Sequence, residues 1–298
     1  MLALRSKMGR KYLPKIRSYW LWQLAGTALA PVAVLVAATP GLTATFAASE
    51  GFLQLQNFSH NPYATDTVAN TAAFSMISAP GDNAAAIAAA DAIFVNSPGG
   101  DIPCPFSPFS STPCLQSSAV NLAGGVGIDY FAAGASQAQV IGNFFVPQGD
   151  IFSFDFFAAL NLNTSIDTPT KEMADSAISL GFLLVNNTDM PNLQILDYFH
   201  LQANLVTPGN DSFSLVKIPN IYLSNYGLVY QGEEQESITA YGQGYLSHSF
   251  SEDAHITLIE YQANHVTATA RAPEPSAALG LIILGILGVG RRLLRRFF

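Results

Sequence analysis

The residues of this 298-residue chain that could do chemistry are five histidines, two cysteines and a scatter of carboxylates. His248, His255 and His265 fall in the C-terminal third of the body. None stands in a His-x-His or His-Glu-x-x-His pair, the spacing that would bring two imidazoles to one zinc ion. No metal site is read from them. Asn161, Asn163 and Asp167, and likewise Asn186, Asn187 and Asp189, could offer oxygens to calcium, although neither set matches an EF-hand loop. Asn and Asp also favour turns for reasons of their own. Glu233, Glu234 and Glu236 are the densest carboxylates. Glycoside hydrolysis needs two carboxyl groups facing each other across a bond, so a glycan hydrolase is the rival reading. A charge run in a turn is more often solvated. Gly134-Ala135-Ser136-Gln137-Ala138 fails as a nucleophile elbow at its last position. Gly124-Gly125-Val126-Gly127 lacks the Lys-Ser/Thr of a phosphate loop and reads as a turn. No catalytic residue and no cofactor is assigned, and the chain is not read as an enzyme.

Cys104 and Cys114 enclose nine residues, three of them prolines. In an oxidising compartment such an isolated pair reads as one disulfide closing a loop. The prolines already stiffen the loop, so the bridge should add less than about 3 kcal/mol. Tyr222, Tyr226, Tyr230, Tyr241 and Tyr245 have apolar faces and polar tips, which suit stacking on neutral sugar rings. Tyrosine also simply favours strands.

The elements that would position these residues are marked off by charge. The chain holds 13 basic and 21 acidic residues. Six of the basic ones, from Arg5 to Arg17, precede an apolar run from Leu24 to Ala38, after which small residues lead to Ala47 and Ala48. That order reads as a secretory signal peptide, with cleavage expected after Ala47 or Ala48. Four more arginines close the chain, leaving Lys171, Lys217 and Arg271 against nearly all the acids. An acidic body of this kind repels nucleic acid, so no nucleic-acid partner is expected.

The last residues read Pro273-Glu274-Pro275-Ser276, then an apolar run from Ala277 to Val289, then Arg291-Arg292-Leu293-Leu294-Arg295-Arg296. The two prolines keep the first part extended and readable by an enzyme. The run, with Ala277, Leu281, Ile283 and Leu287, is shorter than the about 20 residues a spanning helix needs. It would have to recruit the leucines beyond Arg291 and Arg292 while the arginines snorkel. The arginines place that end in the cytoplasm. This tail resembles the PEP-CTERM sorting signal of Gram-negative bacteria. The resemblance implies export across the inner membrane, a transient membrane tether, and handling by an exosortase-type membrane transpeptidase. It further implies a final place at the cell surface or in the extracellular matrix.

Between the two ends the pattern turns to period two. Phe152, Phe154, Phe156, Ala158, Leu160 and Leu162 alternate with mostly polar residues, the mark of a strand with one buried face. Phe157 is the exception. Ile178 to Leu184, Phe199 to Leu205, and shorter runs as far as Thr267–Ala270 repeat the pattern between polar turns. Asp82-Asn83 ahead of the alanine-rich run from Ala84 to Phe94 reads as a capped helix. The organisation expected is a signal peptide over 1–47 and a mixed segment over 48–125 containing the helix and the cysteine loop. An antiparallel β-sandwich of jelly-roll or Ig-like kind follows over 126–270, and a sorting tail with a membrane helix over 271–298. The strand region also resembles the bodies of some cyanobacterial PEP-CTERM proteins, through Phe152-Ser153-Phe154-Asp155-Phe156 and Thr164-Ser165-Ile166-Asp167. The function expected is a structural or adhesive one in a biofilm's polysaccharide layer, with extracellular polysaccharide as a possible partner.

Overall fold

The computed structural model describes residues 44–78, 81–95, 113–189, 192–218, 220–232 and 235–270. Twelve strands run through them in order: β1 Ala44–Gln56, β2 Ala64–Ile77, β3 Asn83–Val95, β4 Cys114–Val126, β5 Tyr130–Val146 and β6 Ile151–Ser165. They continue as β7 Glu172–Asn186, β8 Gln194–Thr207, β9 Ser212–Lys217, β10 Ile221–Gln231, β11 Gln235–Ser249 and β12 Ala254–Ala270. All pairings are antiparallel and form two six-stranded sheets, ordered β10-β11-β6-β1-β4-β3 and β2-β5-β12-β7-β8-β9. The protein is mainly β, and the two sheets pack face to face in a sandwich-like body.

The alternation in β6 sets the core. Phe152, Phe154, Phe156, Ala158, Leu160 and Leu162 are all buried between the sheets. Their rings meet those of the opposite sheet: Phe152 on Phe144 at 4.9 Å, Phe154 on Phe182 at 5.1 Å, and Phe156 on Phe199 at 4.9 Å. Edge-to-face and tilted pairs at such distances add about 0.5–1.5 kcal/mol each to the burial itself. Ile178, Leu180, Phe182 and Leu184 of β7 and Phe199, Leu201, Ala203 and Leu205 of β8 fill the facing side, as their period-two spacing predicts.

The alanine run is a strand, not a helix, and this corrects the sequence reading. β3 pairs with β4 from Asn83 opposite Val126 to Val95 opposite Cys114. Helix propensity favours alanine by well under 1 kcal/mol per residue over most others, and tertiary context overrides it. Here the context is close approach: a Cβ placed on Gly134 of β5 would stand 3.0 Å from the Ile87 carbonyl oxygen. Small side chains suit sheets so near. Ala47, Ala123, Ala132, Ala174 and Ala268, with Ile166 and Val266, form a second core there, made mostly of alanines. Asp82 does cap something, but it is the β4–β5 turn. Its carboxylate accepts hydrogen bonds from the Ile128 and Asp129 N–H groups, both at 3.0 Å. Gly127 turns beneath it at φ 137°, where a Cβ would collide with Asp82.

Residues 48–125, read as a mixed segment, thus supply most of β1 and all of β2 and β3 as well as nearly all of β4. Ala47 and Ala48, read as the exit of the signal peptide, lie inside the central strand β1, and Ala47 is fully buried. Phe157, left over by the alternation, faces outward. Among the described residues no helix covers it; its ring leans on Phe52 of β1 at 6.1 Å.

One layer of the interior is polar. Along β12 the inward positions run Ile256, Leu258, Glu260, Gln262, Asn264, Val266, and all six are buried. Gly51 of β1 makes room for this layer, since a Cβ there would overlap the Gln262 amide. Asn264 Nδ2 donates across the gap to the Ala119 carbonyl at 3.0 Å. The polar layer separates the phenylalanine core from the alanine core.

Candidate functional site

The outward face of the first sheet carries the densest set of groups suited to recognition. Its register places Tyr222 of β10, Tyr245 of β11 and Asp155 of β6 side by side. In the next row stand Asn225, Gln243, Phe157 and Gln54. These side chains share a face because the core claims the alternate set: Phe154, Phe156 and Leu246 point inward. The bulge between Leu223 and Asn225 resets the alternation of β10 just past Tyr222. It leaves Tyr222 against Tyr245, ring centroids 5.2 Å apart, at 57% and 44% exposure.

Two shallow grooves adjoin Tyr245. One, of about 180 Å³, is lined by Gln54, Gln56, Asp155, Phe157, Gln243 and Tyr245. The other, of about 230 Å³, is lined by Asn57, Ser153, Asp155, Tyr245 and Ser247. Asp155 and Tyr245 border both. The Asp155 carboxylate is held by the Asn57 amide, which donates to it at 2.6 Å. Asn57 reaches it by turning at φ 57° after β1, a left-handed conformation that asparagine tolerates better than most residues. Aromatic faces beside amides and one anchored carboxylate can stack on a sugar ring and bond its hydroxyls.

The sequence-read tyrosines therefore separate. Tyr222 and Tyr245 form the pair. Tyr241 lies on the same face over Gly227, whose missing Cβ its ring would otherwise strike. Tyr226 and Tyr230 occupy the opposite face of β10. The Tyr230 hydroxyl donates to Asp211 at 2.5 Å, and that carboxylate pushes the phenol up to about 12.

The histidines do not converge. His248 Nδ1 donates to the buried Asp197 at 2.6 Å. His255 sits between the rings of Tyr63 and Phe145. His265 is pulled below its usual range by burial, against the opposing charge of Asp175. Among the described residues no three His, Cys, Asp or Glu side chains come together as a metal-binding group. Most of the side chains considered for calcium make local hydrogen bonds, although the Asn187 oxygen has no partner. Asn161 and Asn163 lie within β6 rather than in a turn, and Asn161 accepts from Thr239. Asp167 accepts from the Ala44 N–H, Asn187 donates to Thr257, and Asp189 accepts from Asn192. Glu236 accepts from Thr207, while Glu233 and Glu234 lie outside the described residues.

Cys114 opens β4 and is 1% exposed; Cys104 lies outside the described residues. So do residues 1–43, Pro273, Glu274 and Pro275, read from the sequence as a sorting motif, and the apolar tail. Among the described residues no helix is long and apolar enough to cross a membrane.

Sequence reasoning missed Glu260. It is wholly buried, and both of its oxygens lack a conventional hydrogen-bond partner. Burial pushes its carboxyl up to about 8, against a smaller downward pull from Ser117. Extending the period two of Ile256 and Leu258 by one step would have placed it inside. On the outward face Glu50 is also raised by burial.

No family model, no curated protein and no solved structure matches this chain.

Proposed function

We propose that this chain is an exported, exosortase-sorted protein of the cell surface or extracellular matrix, with a structural and adhesive role in a polysaccharide layer. The observation that carries the adhesive part is the exposed Tyr222–Tyr245 pair, whose Tyr245 borders two grooves that share Asp155. Tyrosine faces would stack on neutral sugar rings, and Gln54, Gln243 and Asp155 would bond their hydroxyls. The grooves are shallow and lie on a sheet face, which suits one or two residues of a long chain rather than an engulfed small molecule. The sorting part rests on the tail: Pro273-Glu274-Pro275, the run through Ala277, Leu281, Ile283 and Leu287, and the arginines at 291 and 292. These would bring the protein to a membrane transpeptidase and tether it to the inner membrane meanwhile. Export to an oxidising compartment would also let Cys104 and Cys114 pair.

The rival reading, an exported glycan hydrolase, needs two carboxylates flanking the scissile bond. Among the described residues, the lining of the first groove holds only Asp155. Retention of the exported protein on neutral polysaccharide, with and without Tyr245, tests the adhesive reading.

A further inference from the structure

Both sheets end on the same side in long, regular strands, β2 for one and β3 for the other. β2 spans 14 residues and β3 spans 13, and neither ladder carries a register shift. Every residue of β2 except Val68 is exposed. Among the described residues, no strand pairs with the outer edge of either.

Soluble β proteins normally blunt such edges with lysines, prolines, bulges or short strands. The far side of this body does so. β9 has six residues and carries Lys217, and β10 is broken by the irregularity at Leu223/Asn225. The β2/β3 side has none of these devices. Its only charges are Asp66 and Asp91, and it shows Phe74, Met76, Ile77 and Ile87 to solvent.

We propose that the β2/β3 side joins two copies of this chain edge to edge, extending each sheet across a two-fold axis. The occupant is a second copy because the edges suit themselves. Antiparallel self-pairing of β2 about Asn70, beside its midpoint, sets Asp66 opposite Phe74, and that of β3 about Ala89 sets Asp91 opposite Ile87. Neither arrangement puts like charges face to face, as parallel in-register pairing would. β2 and β3 are consecutive strands of nearly equal length, so their midpoints stand at similar height. One axis normal to the sheets can serve both. The contact is of the right order: a 14-residue strand is about 48 Å long and the layers lie about 10 Å apart, so the two edges span about 480 Å² before their outer side chains are counted, against about 800 Å² per partner in a standard interface. A head-to-tail contact with the far side would set 14 residues against the six of β9.

The test is sedimentation velocity on the exported protein over a hundredfold range of concentration. Wild type is expected to sediment as a concentration-dependent dimer. Ala89→Lys sets two lysines against each other across the axis, and Asn70→Lys does the same in the other sheet. The double variant should dimerise at least tenfold more weakly with an unchanged circular dichroism spectrum. Val216→Lys, on the far side, should leave dimerisation unchanged. If the double variant misfolds, hydrogen exchange on wild type decides: amides of β2 and β3 should exchange more slowly at high than at low concentration. A monomer throughout, open-ended filaments, a dimer indifferent to both lysines, or concentration-independent exchange would each overturn the proposal.

Discussion

His248 on β11 and Asp197 on β8 meet across the two sheets, Nδ1 donating to Oδ2 at 2.6 Å, with Asp197 wholly buried. The other Asp197 oxygen has no partner. The carboxylate therefore depends on this imidazole. Removing the imidazole leaves a buried carboxylate without a hydrogen-bond donor, which costs about 1–3 kcal/mol or more. His248→Ala is therefore expected to cost about 3 kcal/mol. Asp197→Asn should cost less, because the amide tolerates burial better than an unpaired charge. A double-mutant cycle read by denaturant unfolding checks it. A coupling energy below about 0.5 kcal/mol would show that the pair contributes nothing.

Glu260 makes stability depend on pH. Its folded carboxyl is pushed up to about 8, above its ordinary 4.5. A raised pKa means the folded state holds a proton that the unfolded chain has already lost. The contribution is then fully present below 4.5 and is lost as pH rises through 8. Glu260→Gln keeps the shape and removes the titration. It should stabilise the protein at pH 7 by on the order of 3 kcal/mol and make little difference near pH 4. The wild-type-minus-variant difference in unfolding free energy across pH 4 to 9 is the measurement. A difference that is flat with pH would mean Glu260 is not buried as a neutral acid.

Phe154 and Asp155 are neighbours on opposite faces of β6. Phe154→Ala opens a hole among Phe58, Phe152 and Phe182 and should cost about 3–5 kcal/mol. Asp155→Ala loses one exposed hydrogen bond from Asn57 and should cost less than about 1 kcal/mol. Equal losses at the two positions would contradict the assignment of faces.

The alternation of Phe152 to Leu162 was legible because large side chains every second residue leave one solution, a strand with one buried face. The alanine run was not. Alanine carries no pattern of size, so its helix preference stood alone until the nearness of β5, visible only in three dimensions, outweighed it. Glu260, Gln262 and Asn264 were misleading for another reason: polar types signal an outward face, and only the phase of Ile256 and Leu258 says otherwise. The five tyrosines were found as a group. Sorting Tyr222 and Tyr245 from Tyr226 and Tyr230 required the bulge at Leu223/Asn225, which leaves no sequence mark. The Asp197–His248 pair joins residues 51 apart in the chain, and no local spacing announces it.

The processing that the proposed export requires should leave β1 whole. The Ala44 N–H donates to Asp167 at 2.9 Å, the Thr45 N–H donates to the Tyr130 hydroxyl at 3.0 Å, and Ala47 is buried. Cleavage after Ala47 would remove all three. The mature N-terminus is therefore expected at or before Ala44. A cut after Ala38, with Val36 and Ala38 in the positions that favour small residues, fits the sequence. Intact-mass analysis of the exported protein should show such a start and no Phe298. A chain beginning at Ala48 or Ser49, or one retaining both original ends, would contradict this.

The adhesive claim is tested most directly by affinity electrophoresis of the exported protein in gels containing a soluble β-glucan, galactomannan or dextran. Tyr222→Ala and Tyr245→Ala remove exposed rings and should change stability little. Bases stacked on an aromatic face lose on the order of 1–3 kcal/mol when that face is truncated, and a stacked sugar ring is expected to lose a similar amount. Wild type should be retarded by at least one of these neutral polysaccharides. Each tyrosine variant should lose tenfold or more of that affinity, and Tyr226→Ala, on the other face of β10, should keep it. Migration of wild type unaffected by every polysaccharide, or retardation that survives the loss of both Tyr222 and Tyr245, would contradict the account.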